Sequence, residues 1–569
     1  MSAPVLVIGA GPTGLTSACA LWSLGVPARV VDRRQGPGTA PKGLVLWSGA
    51  LECLDRIGVA DELARVALPL AGASYWTAGR RIAGVRFGGL ANTAFPGPLC
   101  VPQPVTERAL HRRLVELGGR VEWETEATTV RVDRSGADQS VTVALRSGGR
   151  EETLTVPWLI AADGARSLVR TAVGIPFEGH TFERTFLIGD GTLEGAPAEA
   201  EVQHHIAPEG VLVIVPQPEG HRVFFDTEPT DESEPPPLEL LQRLLDERGP
   251  GGLRLRDVRW SSRFRVHAKV APRFREGPVL LAGDAVHAHT TAGGQGLNTG
   301  VQDGYDIGWK LASVIRGGDA RLLDSFEAER RPASVRAVRS GDQQTRMWLL
   351  RSPMARKARD LAMRALSGAG VLESKVVPLL AQLDLDHSRS AAVVDLPGAA
   401  AVPRALRLGR RTFDVPLAPV PGGAVTSLRA YLSTGRHTLV VHGAGAGEWA
   451  EQAALAFRAW EVDDVVQVLW VRPGAGHDRV AAVPGCEVLH DRSHALGGGD
   501  TPWFAYIRPD GVLGARSGTA GFDALLARLP CWPSLRAVED PSLPAPGQQP
   551  KSPVDAPPVG RTLSARHGS

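Results

Sequence analysis

The residues with the clearest potential for chemistry form the loop from Gly283 to Asp303, GDAVHAHTTAGGQGLNTGVQD. The apolar run at residues 278–282 predicts a buried strand that delivers Asp284 to this loop. The loop is too rich in Gly and Thr to be a core segment, and it leads into a helix predicted to begin near Gln295. Backbone N–H groups at a helix N-terminus favour electron-rich groups. The segment therefore predicts an anion or cofactor site.

A second glycine-rich motif, GAGPTG, occupies residues 9–14 between an apolar run and an Ala/Leu-rich helical pattern. In the GxGxxG spacing Gly9 permits a tight turn, Gly11 lets the backbone approach a pyrophosphate, and Gly14 allows close helix–strand packing. GxGxxG alone is weak evidence, because glycines also end strands for structural reasons. Here the strand–turn–helix context is right, and Asp32 ends the next predicted strand, where an acid binds a ribose. This motif predicts a dinucleotide site, and together with the loop at 283–303 it indicates a bound flavin.

Two weaker signals lie between these motifs. Asp163 and Gly164 follow an apolar strand, and in isolation they match a type I turn. Gln103 precedes a predicted helix at 106–117, where a polar residue usually caps the helix or is solvated. Neither signal is specific alone, and it is their order along the chain, between the two glycine-rich motifs, that supports a functional role.

Periodicity predicts the elements that position these motifs. A βαβ unit at 4–34 carries the first motif, and the short alternating strands at 176–275 predict an inserted antiparallel sheet. The predicted division is a nucleotide-binding part at 1–175, a substrate domain at 176–275, a return to the first domain with a helical segment at 276–390, a C-terminal α/β domain at 400–536, and a disordered tail at 537–569.

Composition narrows the class of protein. With 569 residues, a formal net charge of +2 and 22% charged residues, the chain fits a multidomain globular enzyme and gives no electrostatic reason to expect nucleic acid. Five scattered cysteines include no CxxC pair, and no metal-ligand spacing is present. Because the sequence shows no signal peptide and no apolar run long enough to span a membrane, we expect a cytoplasmic protein. We expect it to be a monomer or a homodimer.

The order GxGxxG, DG and GD resembles the single-component FAD-dependent aromatic hydroxylases, the p-hydroxybenzoate hydroxylase-like flavoprotein monooxygenases, over residues 4 to about 390. The strands and helix beyond residue 400 further resemble the phenol and polyketide hydroxylase branches. The resemblance implies an α/β fold with a Rossmann-type FAD-binding domain, an inserted antiparallel-sheet substrate domain, a helical segment and a C-terminal thioredoxin-like α/β domain. Without a CxxC, disulfide chemistry in that last domain is not expected.

The resemblance also implies roles for the residues that match the family's motifs. They are Gly9, Gly11, Thr13, Gly14 and Asp163 for the FAD pyrophosphate, Asp32 and Arg33 for the adenosine, Gln103 and Asp284 for the ribityl chain, Lys42 for the isoalloxazine, and Gly296, Leu297 and Asn298 for the flavin pyrimidine ring.

Two departures from the family's sequence pattern lie in segments expected to border the reaction site. Lys42 stands where relatives usually carry Arg. Lysine keeps the positive charge of arginine but lacks its planar guanidinium fork. Thr290 and Thr291 replace one or two prolines in the loop that borders the reaction site. Two alternatives are open for their hydroxyls, namely substrate binding or hydrogen bonds to the loop's own backbone.

The implied reaction uses NAD(P)H to reduce FAD, forms a C4a-hydroperoxide with O2, and inserts one oxygen atom into an aromatic substrate. A polycyclic polyketide of antibiotic or other secondary metabolism is the preferred substrate class. Epoxidation, Baeyer–Villiger insertion and a non-oxygenating role stay open, because one scaffold supports them all. No catalytic residue is assigned. Four histidines are candidates by location alone, and each is more typical of a structural role: His180, His204, His205 and His289.

The predicted substrate pocket lies between the flavin and the antiparallel sheet. Its candidate wall residues are Phe224 or Phe225, with Thr227, on the strand HRVFFDTE, and Thr291 on the loop. A place in the hydrophobic core is the equally supported alternative for the strand residues.

Overall fold

The computed structural model describes residues 3–135, 139–196, 200–230, 233–420, 424–474, 482–499 and 501–527. The tail predicted to be disordered, 537–569, lies outside these ranges. The helices are α1 (Pro12–Ser23), α2 (Ser48–Arg56), α3 (Ala60–Val66), α4 (Gln103–Glu116), α5 (Leu168–Ala172), α6 (Leu238–Arg248), α7 (Gln295–Ile315), α8 (Asp324–Trp348), α9 (Pro353–Gly368), α10 (Val377–Ala381), α11 (Leu428–Leu432), α12 (Gly447–Ala459) and α13 (Phe522–Leu526).

The strands are β1 (Val5–Ile8), β2 (Ala28–Val31), β3 (Val45–Leu46), β4 (Leu68–Pro69), β5 (Gly72–Thr77), β6 (Arg80–Arg86), β7 (Leu99–Cys100), β8 (Val121–Glu122), β9 (Thr125–Asp133), β10 (Ser140–Ser147), β11 (Arg150–Val156), β12 (Trp158–Ala161), β13 (Glu178–Glu194), β14 (Glu201–Ala207), β15 (Gly210–Gln217), β16 (Gly220–Thr227), β17 (Arg254–Val270), β18 (Arg275–Glu276), β19 (Val279–Leu281), β20 (His287–Ala288), β21 (Val394–Asp395), β22 (Pro416–Pro419), β23 (Thr426–Ser427), β24 (His437–His442), β25 (Val466–Pro473), β26 (Cys486–Asp491), β27 (Trp503–Ile507) and β28 (Leu513–Gly518).

The first sheet has the order β18-β19-β12-β1-β2-β8, with β1 parallel to both β12 and β2. Its central strands are continuous apolar runs, as expected of a parallel sheet covered on both faces. Helix α7 packs closely on α1 at two glycines, which have no side chain to hold the helices apart. A Cβ on Gly300 would lie 2.5 Å from Thr13 Oγ1, and a Cβ on Gly304 would collide with the Thr13 carbonyl. This contact brings the GxGxxG turn and the GD loop together.

The second sheet is larger than predicted. Its order is β20-β17-β13-β16-β15-β14-β5-β6, so the hairpin β5–β6, far upstream of residue 176, forms one edge. Strand β5 runs parallel to β14, and the neighbouring pairs elsewhere in this sheet are antiparallel. The prediction failed here because pairing partners more than a hundred residues apart leave no local pattern. Helix α6 covers one face of the sheet, and α8 and α9 approach the other.

The third sheet has the order β21-β28-β27-β24-β25-β26-β22-β23, and α12 connects the parallel strands β24 and β25. The thioredoxin-like assignment of this region stays a prediction. Buried polar contacts join the region to the first domain: Arg508 donates to the Glu329 carboxylate at 2.8 and 2.7 Å, and His437 contacts Ser313 Oγ at 3.1 Å. In the part of the chain described here, no helix combines the length and apolar character that crossing a membrane requires.

Candidate flavin site

The three glycines of the GxGxxG turn have different surroundings. Gly9 has φ of +103°, and a Cβ there would collide with the Ala162 carbonyl; a Cβ on Gly14 would collide with the Gly9 carbonyl. Gly11 has an ordinary φ of −75°, and a Cβ there would meet no atom within 4 Å. Gly9 and Gly14 therefore pack the turn, whereas Gly11 keeps an open backbone surface that a phosphate can approach and a side chain would fill.

Asp32 lies at the end of β2 beside this turn and is 8% exposed. Its carboxylate accepts from the Ala10 N–H at 2.7 Å and from the Arg34 N–H at 2.8 Å. The Arg34 guanidinium also pairs with Asp32 and with Glu107. The structure thus places Arg34 against the acid, while Arg33 is exposed, and the adenine contact of Arg33 stays a prediction.

Asp284 lies in a short turn held against the first motif. Gly283 has φ of +59°, and a Cβ there would lie 2.5 Å from Thr13 Oγ1, so the GD turn sits directly over Thr13. The Asp284 side chain reaches solvent although protein surrounds it, as on the wall of a cleft. Burial raises the pKa of its carboxyl, and the charges of His287 and Lys42 act in the opposite direction.

The first turn of α7 faces the same cleft. The chain enters the helix through Gly293 and Gly294, both left-handed with φ of +76° and +62°. The Asn298 side chain is fully buried; it accepts from the Trp47 N–H at 2.6 Å and donates to the Val45 and Gly294 carbonyls at 2.7 Å each. Its carboxamide therefore fixes the loop. The contact of the Gly296, Leu297 and Asn298 N–H groups with the flavin pyrimidine ring stays a prediction.

A loop that carries Lys42 closes the site from the other side. Gln103, the first residue of α4 rather than a residue before it, accepts from the Gly43 N–H at 3.0 Å. A Cβ on Gly43 would lie 3.0 Å from Leu297, so this loop touches the start of α7. Arg222 donates to the Lys42 carbonyl at 3.2 Å and pairs with the buried Asp190 at 2.6 Å. The Lys42 side chain itself is exposed toward Asp284.

The DG motif adjoins both glycine-rich motifs. Asp163 follows the Ala162 carbonyl that contacts Gly9, and its Oδ2 accepts from the Val169 N–H at 3.2 Å. Burial raises the pKa of the Asp163 carboxyl, whose Oδ1 is buried and has no hydrogen-bond partner among the described residues. Arg170 donates to the Ala285 carbonyl at 2.8 Å and so ties the DG loop to the GD loop.

A chain of buried side chains supports the GD loop from behind. His289 Nε2 lies 2.9 Å from His287 Nδ1, and His287 Nε2 lies 2.6 Å from Asp303 Oδ2. Arg330 donates to the other oxygen of Asp303 at 2.8 Å. The His287 ring therefore bridges the Asp303 carboxylate and the His289 ring. His289 thereby anchors the loop to α7 and α8.

These residues form a surface suited to FAD: an open glycine for the pyrophosphate, an acid for the adenosine ribose, a second acid in the cleft, and a helix start for the pyrimidine ring. The sequence profile described as "FAD binding domain" matches residues 2–341. The chain belongs to this FAD-binding family. The predicted family of FAD-dependent aromatic hydroxylases, its FAD-binding α/β fold, and FAD as cofactor are confirmed.

The relatives of this flavoenzyme include monooxygenases. It is 33% identical to the 6-methylpretetramide 4-monooxygenase of Streptomyces rimosus over 540 aligned residues, and this alignment covers 92% of each chain. The solved anhydrotetracycline hydroxylase of Streptomyces rimosus superimposes with a TM-score of 0.71 at 28% identity, covering 93% of this chain and 99% of that one. The dialkyldecalin synthase of Streptomyces rugosporus is 31% identical over 458 residues, 78% of this chain and 88% of that one.

An aromatic cluster lies on the face of the large sheet toward α8 and α9. It contains Trp47, Tyr75, Phe186, Phe224 and Trp348, each 9% exposed or less. Trp47 Nε1 donates to the Gly293 carbonyl at 3.1 Å, so the cluster touches the glycines that precede α7. The cluster therefore adjoins the loop that leads into α7.

The structure corrects the predicted wall residues of strand β16. Phe225 is fully buried on the opposite face, against Leu241 and Leu245 of α6, so its assignment to the substrate wall is wrong. Thr227 shares the side of Phe225 by the two-residue period of a strand, and its hydroxyl donates to the Glu228 carbonyl at 3.2 Å. Phe224 faces the aromatic cluster instead. Because side chains alternate along a strand, these two adjacent phenylalanines lie on opposite faces of the sheet.

The two loop threonines are placed differently. Thr290 is 2% exposed and packs against Gly341 of α8, and its hydroxyl has no hydrogen-bond partner within the described ranges. The hydroxyl of Thr290 therefore does not bond the loop's own backbone. Thr291 is exposed, and its role at the substrate stays a prediction.

The other candidate histidines also separate. His180 is half-buried on β13 and pairs with Asp342 at 3.0 Å. His205 lies 3.1 Å from Gln203 and stacks on Trp76. His204, its neighbour on β14, points into the aromatic cluster and stacks on Tyr75.

Sequence reasoning missed Arg222 and Arg34, although an Arg within the apolar strand HRVFFDTE is a signal of a buried ion pair. Tyr75 and Trp348 gave no such signal, because their contacts with the site come only from folding.

Proposed function

We propose that this flavoenzyme inserts one oxygen atom from O2 into a polycyclic aromatic polyketide, with NAD(P)H as reductant. The observation that carries the proposal is the packing of the GD turn over Thr13 of the GxGxxG helix, beside an aromatic cluster. When FAD is bound at this site, it would supply the redox chemistry for hydride acceptance and O2 activation. Relatives that act on tetracycline precursors support the choice of substrate class.

The residues of the chain have defined parts in this proposal. Gly11 admits the pyrophosphate, Asp32 binds the adenosine ribose, Gln103 and Asp284 hold the ribityl chain, and Asp163 lies near the phosphates. The N–H groups at the start of α7 stabilise negative charge on the pyrimidine ring by about 0.3–2 kcal/mol, which eases hydride transfer. The aromatic cluster excludes water and stacks on the substrate.

The predicted domain division is part of the proposal, with the hairpin β5–β6 added to the substrate domain. A reducing, cytoplasmic setting and a monomer or homodimer also belong to it. The cysteines Cys19, Cys53, Cys100 and Cys486 are free, which supports a reducing setting.

A second candidate is a flavoprotein that shapes a substrate without oxygenating it. The observation that favours it is the 31% identity to a dialkyldecalin synthase, over 78% of this chain. In that case FAD contributes to the shape of the pocket, and NAD(P)H oxidation does not respond to substrate.

The deciding experiment measures FAD content, NAD(P)H oxidation and product mass with a panel of polycyclic phenols. We expect a yellow protein whose NAD(P)H oxidation rises with substrate and whose product gains one oxygen atom. Hydrogen peroxide released without product would show oxidase activity, and substrate conversion without NAD(P)H would favour the second candidate. A protein that cannot retain FAD would overturn both.

Asp284→Ala is the matched variant for the cofactor assignment. Loss of the acceptor for a ribityl hydroxyl, which bound FAD would cover, is expected to weaken FAD binding by about 1–3 kcal/mol. Asp342→Ala, at a half-buried carboxylate of α8 outside the flavin site, is the control. Equal FAD affinity in the two variants would contradict the role of Asp284.

A further inference from the structure

Two polar atoms inside the aromatic cluster have no hydrogen-bond partner among the described residues. They are Nδ1 of His204 and Nε1 of Trp348, both buried. The rings are neighbours, with centroids 5.4 Å apart, and His204 also stacks on Tyr75 at 4.6 Å. The side chains of His204 and Trp348 are 7% and 3% exposed. A buried polar atom without a partner costs free energy, and such atoms are uncommon in folded proteins.

The chemistry of the two atoms is complementary. The indole N–H of Trp348 is a donor only, so it requires an oxygen acceptor. Burial lowers the pKa of His204 to about 4, although a hydrogen bond with the Ser74 backbone acts in the opposite direction. The imidazole is therefore neutral at pH 7, and its free nitrogen matches a hydroxyl group, which both donates and accepts.

The pair lies close to the flavin loop. The Gln344 side chain donates to the Tyr75 hydroxyl at 3.4 Å, and Gln344 Oε1 is 3.5 Å from the position of a Cβ on Gly293. Gly293 precedes the helix start assigned to the flavin pyrimidine ring. A planar ligand between the loop and the cluster would thus lie against Tyr75 with its oxygens near His204 and Trp348.

We propose that His204 and Trp348 form the polar subsite that orients the substrate. The subsite selects an aromatic ketone with a neighbouring phenolic hydroxyl, with the hydroxyl on His204 Nδ1 and the carbonyl oxygen on the Trp348 N–H. The inference rests on the proposed function, because it names the substrate chemistry of that same site. His204 and Trp348 are specificity-determining residues, and the closed stack of rings opens when such a ligand enters.

A ligand series separates the two contacts. We would measure Kd by quenching of flavin fluorescence in the FAD-loaded enzyme with 1-hydroxyanthraquinone, anthraquinone and 1-anthrol. The first carries hydroxyl and carbonyl, the second only carbonyls, and the third only a hydroxyl. Wild-type enzyme is expected to bind 1-hydroxyanthraquinone about tenfold or more tightly than either of the others, as loss of one paired polar group predicts.

Two variants that keep an aromatic ring test the assignment of each residue. His204→Phe is expected to remove the preference over anthraquinone, and Trp348→Phe the preference over 1-anthrol. Both variants keep an aromatic ring and delete an unpaired polar atom. His204→Phe also loses the hydrogen bond with the Ser74 backbone, and Trp348→Phe leaves part of the indole volume empty, so both variants are expected to lower Tm moderately. Loss of one ligand preference in each variant, and of a different preference in each, is a result that a purely structural role would not give.

His205→Phe is the matched control on the same strand. Its imidazole pairs with Gln203 at 3.1 Å, so this substitution is expected to lower Tm and leave the ligand preferences unchanged. If His204→Phe and Trp348→Phe keep the wild-type ligand preferences, as His205→Phe is expected to do, the subsite is refuted while the proposed function stands. If wild-type FAD-loaded enzyme neither binds the three compounds nor oxidises NAD(P)H faster with them, the proposed substrate class fails, and the subsite with it.

Discussion

At the scale of single residues, the GxGxxG turn shows how one residue type serves two purposes. Gly9 and Gly14 are required because carbonyl groups occupy the space of their missing side chains, whereas Gly11 has space around it and an ordinary backbone conformation. A substitution at Gly11 therefore tests ligand binding without a demand on the fold.

We expect Gly11→Val to fold with the Tm of the wild-type apoprotein and to bind FAD at least about tenfold more weakly, because the side chain would fill the phosphate surface. Gly445→Val is the control, since a Cβ on Gly445 would likewise meet no atom within 4 Å and this glycine lies in the C-terminal region. Calorimetric Tm and FAD titration give the two readouts. Weakened FAD binding in both variants, or in neither, would contradict the assignment.

At the scale of elements, the loop with Lys42 depends on a buried ion pair from the large sheet. Arg222 and Asp190 are 6% and 5% exposed, lie on the adjacent strands β16 and β13, and pair at 2.6 Å. Arg222 also donates to the carbonyls of Pro41 and Lys42. The substrate sheet thereby fixes a loop of the FAD-binding domain, which a sequence pattern does not reveal.

Arg222→Met is expected to lower the free energy of unfolding by about 3–5 kcal/mol, because it leaves the buried Asp190 carboxylate without its partner. The double variant Arg222→Met/Asp190→Leu removes both charges and should recover much of that loss. FAD affinity is expected to stay reduced in the double variant, since the Lys42 loop has lost its donor. Urea unfolding and FAD titration measure the two effects; a double variant less stable than the single one would disprove the pairing argument.

At the scale of the whole molecule, the C-terminal region is attached through buried charges. Arg508 is fully buried and binds both oxygens of Glu329, which also accepts from Lys310 at 2.9 Å. Lys310 in turn pairs with Asp306 on α7, the helix whose first turn faces the flavin. The C-terminal region and the flavin helix thus share one network of charges.

Arg508→Met should destabilise the protein by about 3–5 kcal/mol and increase proteolytic cleavage between the two regions. Arg516→Met is the control, because its pair with Asp395 is partly exposed and is worth about 0–1 kcal/mol. Thermal unfolding and limited proteolysis of both variants check this. Equal effects of the two substitutions would show that the buried network does not hold the regions together.

The pH dependence of stability also belongs to the whole molecule. Burial lowers the pKa of His204, His205 and His387 to about 4 and that of His437 to about 3, against about 6.5 in the unfolded chain. The unfolded state therefore binds more protons, and stability is full above about pH 6.5 and falls as the pH drops toward 4. Burial raises the pKa of Asp306 to about 6 and also raises the pKa of Asp163 and of Asp284, so these carboxyl groups oppose the trend.

Urea unfolding at a series of pH values from 8 to 4.5 measures this slope. His437, which contacts Tyr506 Oη at 2.6 Å and Ser313 Oγ at 3.1 Å, is the residue to replace. His437→Gln is expected to reduce the slope by up to one proton. A stability that stays constant or rises over this range would contradict the buried neutral histidines.

The amino-acid sequence by itself determined the family, the cofactor and the positions of the glycine motifs. Turns that need a missing side chain, and strands that lead directly into them, leave local patterns of residue type and spacing. The start of α7 at Gln295 was predicted for this reason.

Only the tertiary structure decided which side chains meet. Phe225 points to α6 and Phe224 to the aromatic cluster, and Arg34 pairs with Asp32. The hairpin β5–β6 pairs with β14 across more than a hundred residues. The physical reason is the same throughout: the two-residue period of a strand identifies its two faces, and the packing of distant elements assigns one face to the substrate and the other to the core.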